Sequence, residues 1–234
     1  MSHRSDISTE LANGLKHGKT TTEREVRRVV VRIDTTGLGP SHRVVEIGCV
    51  EMIGRKLTGR SFQCFVNPER KIDLGSMQVH GISYEFVADK PRFVEIATEF
   101  VNFVRGAELV VHNAEFHAVY LDYELGLLKL PLLERISTGT IDTLKMARKI
   151  RPGLKNSLDA LCAEYSVDDS EGPFFDAIVD AERTAKIYLA MTRSQQEVST
   201  MSLLERIEDC WAEVQKRGTW GTSGRKHWWA AKRN

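Results

Sequence analysis

No stretch of this 234-residue chain reaches the run of about eighteen apolar residues that a membrane-spanning helix needs, so the sequence predicts no membrane partner. The first thirty residues also lack the apolar core of a secretory leader, and the expected location is cytoplasmic. Cysteine is scarce and never paired in spacing. Cys49, Cys64, Cys162 and Cys210 lie singly inside apolar segments, which argues against a zinc or disulfide framework and for reduced packing residues. Neither sign of charge prevails: 33 Lys and Arg face 32 Asp and Glu, for a net +1. Without a global field, any affinity for nucleic acid must come from a local patch. There is no internal repeat.

What is present supports one sizeable core, with 41% hydrophobic residues, between two extensions. Residues 1–26 are polar, lack a sustained period and read as a flexible arm. Residues 27–193 read as the folded domain, and residues 194–234 as a separate C-terminal segment. Within the domain, apolar alternation predicts strands over 28–34, 43–53 and 60–67, with Gly54 and Gly59 bracketing a hairpin turn between the last two. The three form an antiparallel meander. Residues 68–91 read as an irregular connection. Phe93, Ile96, Ala97, Phe100 and Val104 then recur at helical spacing. A buried strand is expected over 108–113, a helix after it, a short strand at 139–142, and helices over 143–150, 156–165 and 176–193, the second capped by Asn156 or Ser157. A meander followed by strand–helix units implies an α/β fold with a mixed central sheet flanked by helices.

Three separated segments stand at strand ends or on a helix: "RIDTTGL" at residues 32–38, "VVHNAEFHAVYL" at 110–121 and "FFDAIVDAERTAKIYLAMT" at 174–192. In these blocks the chain resembles the DnaQ-like (DEDD-type, DEDDh) 3′→5′ exonucleases, and within them the proofreading epsilon subunits of bacterial replicative DNA polymerase. The likeness runs from about Arg28 to Thr192 and takes in the connecting "VNPERKI", "VHGIS", "IDTLKMAR" and "KNSLDALC" stretches. It implies a ribonuclease H-like exonuclease fold, Mg²⁺ or Mn²⁺ as cofactor, and the 3′ end of single-stranded DNA or RNA as the bound species. It also implies nucleic-acid contacts from Thr35, Thr36, Gly37, Leu38, His112 and Asn113.

The same alignment places Arg32 at the first family Asp, Asp34 at the Glu, His117 at the second-motif Asp, Asp180 at the third-motif Asp and Phe175 at the catalytic His. Two acids, Asp34 and Asp180, are retained. Two-metal phosphodiester hydrolysis needs carboxylates to fix both ions and a base to take a proton from water. Arg32 cannot ligate a cation, and its fixed charge close to one costs several kcal/mol even at an effective dielectric of about 20. Neutral His117 suits a softer transition metal better than Mg²⁺. Phe175 cannot serve as a base. Arg32 is instead expected either to pair with Asp34 and Asp180 or to meet a phosphate directly. The chain therefore reads as an impaired or inactive exonuclease homologue. The alternative is an active enzyme built on Asp34, Asp180 and a compensating acid, for which Glu46, Asp142 and Asp176 are the candidates; Asp142 and Asp176 have helix capping as their plainer role. Asn113 reads as a helix N-cap before a ligand contact, and His80 either as a cleft residue or as a hydrogen-bonding loop residue.

Past the domain, Met201, Leu204, Ile207, Trp211 and Val214 lie three or four apart, predicting an amphipathic helix. All four tryptophans fall at or after Trp211. The final stretch sets Trp220, Trp228 and Trp229 among Arg225, Lys226, Lys232 and Arg233, with no acid. Leu204, Ile207, Trp211, Trp228 and Trp229 are candidate partner-binding residues, the replicative polymerase being the partner that the resemblance implies. Aromatics interleaved with cations suit a single strand as well as a docking site, and a terminus without function is the plainer alternative.

Overall fold

In the computed structural model, residues 26–39, 41–167 and 176–193 are described. The chain divides into two units, residues 1–189 and 190–234, and the sheet lies in the first. Phe175, residues 1–25 of the arm and the C-terminal candidates Leu204, Ile207, Trp211, Trp228 and Trp229 lie outside the described residues.

Strands β1 (Arg27–Thr35), β2 (Val44–Ile53) and β3 (Lys56–Phe65) form the expected antiparallel meander. Its hairpin differs from the sequence expectation. Ile53 pairs directly with Lys56, so the turn is only Gly54 and Arg55, and β3 begins four residues earlier than its apolar content suggests. Gly59 sits inside the strand rather than bounding it. Its φ of 81° belongs to a bulge, where the register shifts between Val50 and Met52. Residues Lys56–Arg60 are exposed, which is why hydrophobicity alone misses them.

The connection at 68–91, expected to be irregular, contains two short helices, α1 (Leu74–His80) and α2 (Tyr84–Val87). Each is too short to display a period, and Leu74, Val79 and Phe86 face solvent. Helix α3 (Phe93–Val104) follows as expected. Then come β4 (Glu108–Val111), α4 (Ala114–Leu127), α5 (Leu133–Ile136), β5 (Gly139–Asp142), α6 (Thr143–Ile150), α7 (Leu158–Tyr165) and α8 (Ala177–Met191). Ser157 is the cap of α7, its hydroxyl accepting from the Ala160 N–H.

The strand order is β3-β2-β1-β4-β5, with β4 and β5 parallel to β1. Successive residues of β1 point to opposite faces. Val29, Val31 and Ile33 join the core packed by α3 and α4, with Phe93, Phe100, Leu121 and Leu125. Val30 joins the second core, against Ala181, Ala185 and Tyr188 of α8. The same alternation carries Arg32 and Asp34 onto the α8 side. A close approach sets the position of α8: a Cβ at Gly48, which pairs with Arg32, would collide with the backbone of Ala177. Among the described residues no helix is long and apolar enough to cross a membrane.

Candidate functional site

β1 pairs with β4 over three residues only, Arg28 to Val30 opposite Glu108 to Val110. Beyond that point the two strands separate, and a cleft of about 860 Å³ opens at their carboxyl ends, the usual place for a ligand in a parallel sheet. Arg32, Leu38, His112, Asn113, His117 and Asp180 all line it, together with Val79, Phe116, Arg148, Asn156 and Ser157. Residues from all three sequence blocks therefore converge.

At the centre is Arg32. Its Nη2 lies 3.8 Å from Asp34 Oδ1, and its Nε lies 3.4 Å from Asp180 Oδ2. The remaining Asp180 oxygen, Oδ1, accepts from Arg183 Nη1 at 3.1 Å. Burial raises the pKa of both acids from the ordinary carboxylate value, and the Arg32 charge offsets this only in part.

His117 is 2% exposed, and its Nδ1 accepts the backbone N–H of Ile33 at 3.3 Å. The imidazole is thus the Nε2–H tautomer and fastens α4 to β1 at the point where β1 has lost β4 as a partner. Burial, with the Arg32 charge as the second cause, pushes its pKa down to about 3. His112 is lowered for the same two reasons, and its Nδ1 lies 3.0 Å from the Thr143 hydroxyl. Both rings remain neutral at physiological pH.

The "TTGL" residues divide between scaffold and cleft. The Thr35 hydroxyl donates to the Gly37 carbonyl at 2.9 Å. The Thr36 hydroxyl accepts from the Arg43 N–H at 3.0 Å and also meets His42 Nδ1. Gly37 is required by close packing, since a Cβ there would strike the His42 ring. Leu38, 77% exposed, is the member that projects into the cleft. His80 is a buried brace rather than a cleft residue: its Nδ1 accepts from the Ile82 N–H at 3.1 Å, so Nε2–H donates to the Thr35 carbonyl at 3.1 Å.

Asn113 occupies the N-cap position of α4 but supplies no cap hydrogen bond, which corrects the sequence expectation; its φ is 70° and its side chain is exposed. The cap comes from Asp142. One of its oxygens accepts from Leu144 and Lys145 at the start of α6, at 2.9 and 3.1 Å, and also from the Asn113 N–H at 3.3 Å; the other accepts from Ala114 at 3.1 Å. One carboxylate thus begins two helices. Each cap is worth about 1 kcal/mol, so Asp142→Ala should cost roughly 2 kcal/mol and lower Tm by about 4–8 °C. Thermal melts of the two proteins check this. A change under 1 °C would mean that water replaces the carboxylate.

Asp176 caps α8, accepting from the Ile178 N–H at 3.0 Å and from Gln63 Nε2 at 2.8 Å. Gln63 also donates to Glu46 Oε1 at 3.0 Å. Glu46 pairs across the sheet with Asp34, is fully buried, and its Oε2 has no hydrogen-bond partner among the described residues. Burial raises its pKa to about 7, with Gln63 and the Ala177 backbone holding it down in part. Glu46 is thus the one rescue candidate that has no capping duty.

The Mg²⁺ or Mn²⁺ ions that the resemblance implies do not fit these residues. A fixed guanidinium stands between the two acids, Asp180 is shared with Arg183, and His117 spends its acceptor nitrogen on the backbone. Among the described residues no three His, Cys, Asp or Glu side chains are grouped to hold a metal ion.

Residues 31–188 match the RNase_T exonuclease family model. The chain is 45% identical over 177 residues to DNA polymerase III subunit epsilon of Escherichia coli K12, covering 72% of each chain. It is 42% identical over 184 residues to the Rickettsia typhi subunit, covering 77% of this chain and 80% of that one. Among solved structures, exonuclease X in complex with 5′ overhanging duplex DNA is 27% identical with a TM-score of 0.57, covering 71% of this chain and 92% of that one. The nuclease domain of 3′hExo, a DEDDh family member bound to rAMP, is a likeness of fold alone, at 15% identity and a TM-score of 0.61 over 73% of this chain and 93% of that one. The sheet and helices are those of the ribonuclease H-like DEDDh exonucleases, and the chain belongs to the RNase_T exonuclease family, with the epsilon subunits of DNA polymerase III among its homologues.

Proposed function

We propose that this protein is an epsilon-like exonuclease homologue that has lost two-metal hydrolysis and retains a binding role toward nucleic acid or a replication partner. One observation carries the reading: the Arg32 guanidinium lies within 3.4 and 3.8 Å of the two retained acids, Asp180 and Asp34. Two cations compete poorly for the same carboxylates when one is covalently attached and permanently charged. The general-base position adds to the case, since Phe175 has no proton acceptor. Polymerase association is proposed through the segment after Arg193, where Leu204, Ile207, Trp211, Trp228 and Trp229 supply apolar anchors beyond a folded domain taken as residues 27–193. A cytoplasmic location accords with such a partner.

The decisive measurement is digestion of single-stranded DNA with Mg²⁺ or Mn²⁺. The expected result is no 3′→5′ shortening above an Asp180→Ala control. Robust digestion that the control abolishes would establish the active alternative, for which buried Glu46 beside Asp34 is the available third acid.

A further inference from the structure

We infer that Arg32 serves as a built-in cation that binds the phosphate of a strand-terminal nucleotide directly, so the cleft takes single-stranded ends without a divalent ion. The inference rests on the binding role just proposed and adds the contact that carries it. A guanidinium offers five N–H donors. Among the described residues, the polar partners of Arg32 are two ion pairs of 3.4 and 3.8 Å, and its buried Nε makes no hydrogen bond. The side chain is 25% exposed and lines the cleft, within reach of a ligand there. Asp180 also pairs with Arg183, whose Nη1 lies 3.1 Å from its other oxygen, so its charge is divided between two guanidinium groups.

The neighbouring rings do not compete for this role. His112 and His117 are neutral, and their Nδ1 atoms are turned to Thr143 and Ile33. A planar fork with unsatisfied donors matches a phosphate oxygen pair. The rest of the cleft selects a nucleotide over a bare anion: Leu38, Val79 and Phe116 form an apolar wall suited to a base, and the exposed Arg148 provides a second cation for the adjoining phosphate.

The test is fluorescence anisotropy with a labelled oligothymidylate carrying a free 3′ hydroxyl, in EDTA and in Mg²⁺, using the full chain. Affinity should be the same in both, and thymidine 5′-monophosphate should compete while thymidine does not. Arg32→Gln should weaken binding in EDTA by about tenfold or more, as expected for loss of a charge-assisted hydrogen bond. Arg32→Lys keeps the charge without the fork and should lose several-fold, which carries the comparison if the glutamine variant fails to fold. If the strand binds only with Mg²⁺, or if both folded variants bind in EDTA as tightly as the unaltered protein, Arg32 is not the phosphate contact, although the nucleic-acid reading stands. Absence of binding in both conditions overturns the inference and the nucleic-acid reading together.

Discussion

Replacing four residues together, Arg32→Asp, Asp34→Glu, His117→Asp and Phe175→His, should produce metal-dependent 3′→5′ digestion at least about a hundredfold above the unaltered protein. That is the lower range of what a positioned general base alone contributes. Around Arg32, Asp34, His117 and Asp180 the scaffold is in place: β1 and β4 separate beyond Val30 and Val110, and α8 is seated on Gly48 with Asp180 lining the cleft. Each single change should leave digestion at background. Carboxylates and base act as one unit, so partial restoration yields far less than its share. Arg32→Asp alone removes the internal cation but sets three acids close together without the base. Time courses on a 3′-extended single strand, run with Mn²⁺ and with EDTA, give the answer. A quadruple variant that folds and binds Mn²⁺ but stays inert would show that the cleft has changed beyond its ligands, and the explanation from Arg32 would then be insufficient.

The second large effect is on stability, at Glu46. Its folded-state pKa of about 7 lies above the ordinary 4.5 because burial disfavours the charged form. Between these values the folded protein holds a proton that the unfolded chain has released. Stability therefore declines as pH rises from about 4.5 to about 7, and on the order of 2–3 kcal/mol is lost across that window. Glu46→Gln has no such proton to lose, and its amide oxygen can still accept from Gln63. Denaturant titrations should find the variant about 2–3 kcal/mol more stable at pH 8 and no more stable than the unaltered protein at pH 4.5. An equal difference at both pH values would place the effect in packing rather than in charge.

How much of this was readable in the sequence depends on whether the signal was local. The alternation in β1 is written in consecutive residues, so the placement of Arg32 and Asp34 on one face follows from counting by two. The stripe of α3 is equally local. Helices α1 and α2 were missed because seven and four residues, mostly exposed, carry no period. The proximity of Glu46 to Asp34 depends on the register of β1 against β2, a pairing between separate segments that no local run of residues spells out. The role of His117 was the least legible. Its position in the motif suggested a substituted ligand, whereas the ring serves the Ile33 N–H that β4 leaves unpaired. Asp142 reads from sequence as the cap of one helix, and nothing local indicates the second, whose start lies 28 residues earlier.

The bulge at Gly59 bears on association between molecules. β3 is an outer strand, and an outer strand with a regular row of free amides and carbonyls is a template for another chain. Here the row is broken. The shift opposite Glu51 interrupts it, and the Glu51 carboxylate fills the kink, accepting from Thr58 and Arg60 as well as Arg27. Lys56 and Arg60 add positive charge along the same border. A second molecule approaching this side meets positive charge and a mismatched ladder, which disfavours sheet-to-sheet growth along β3.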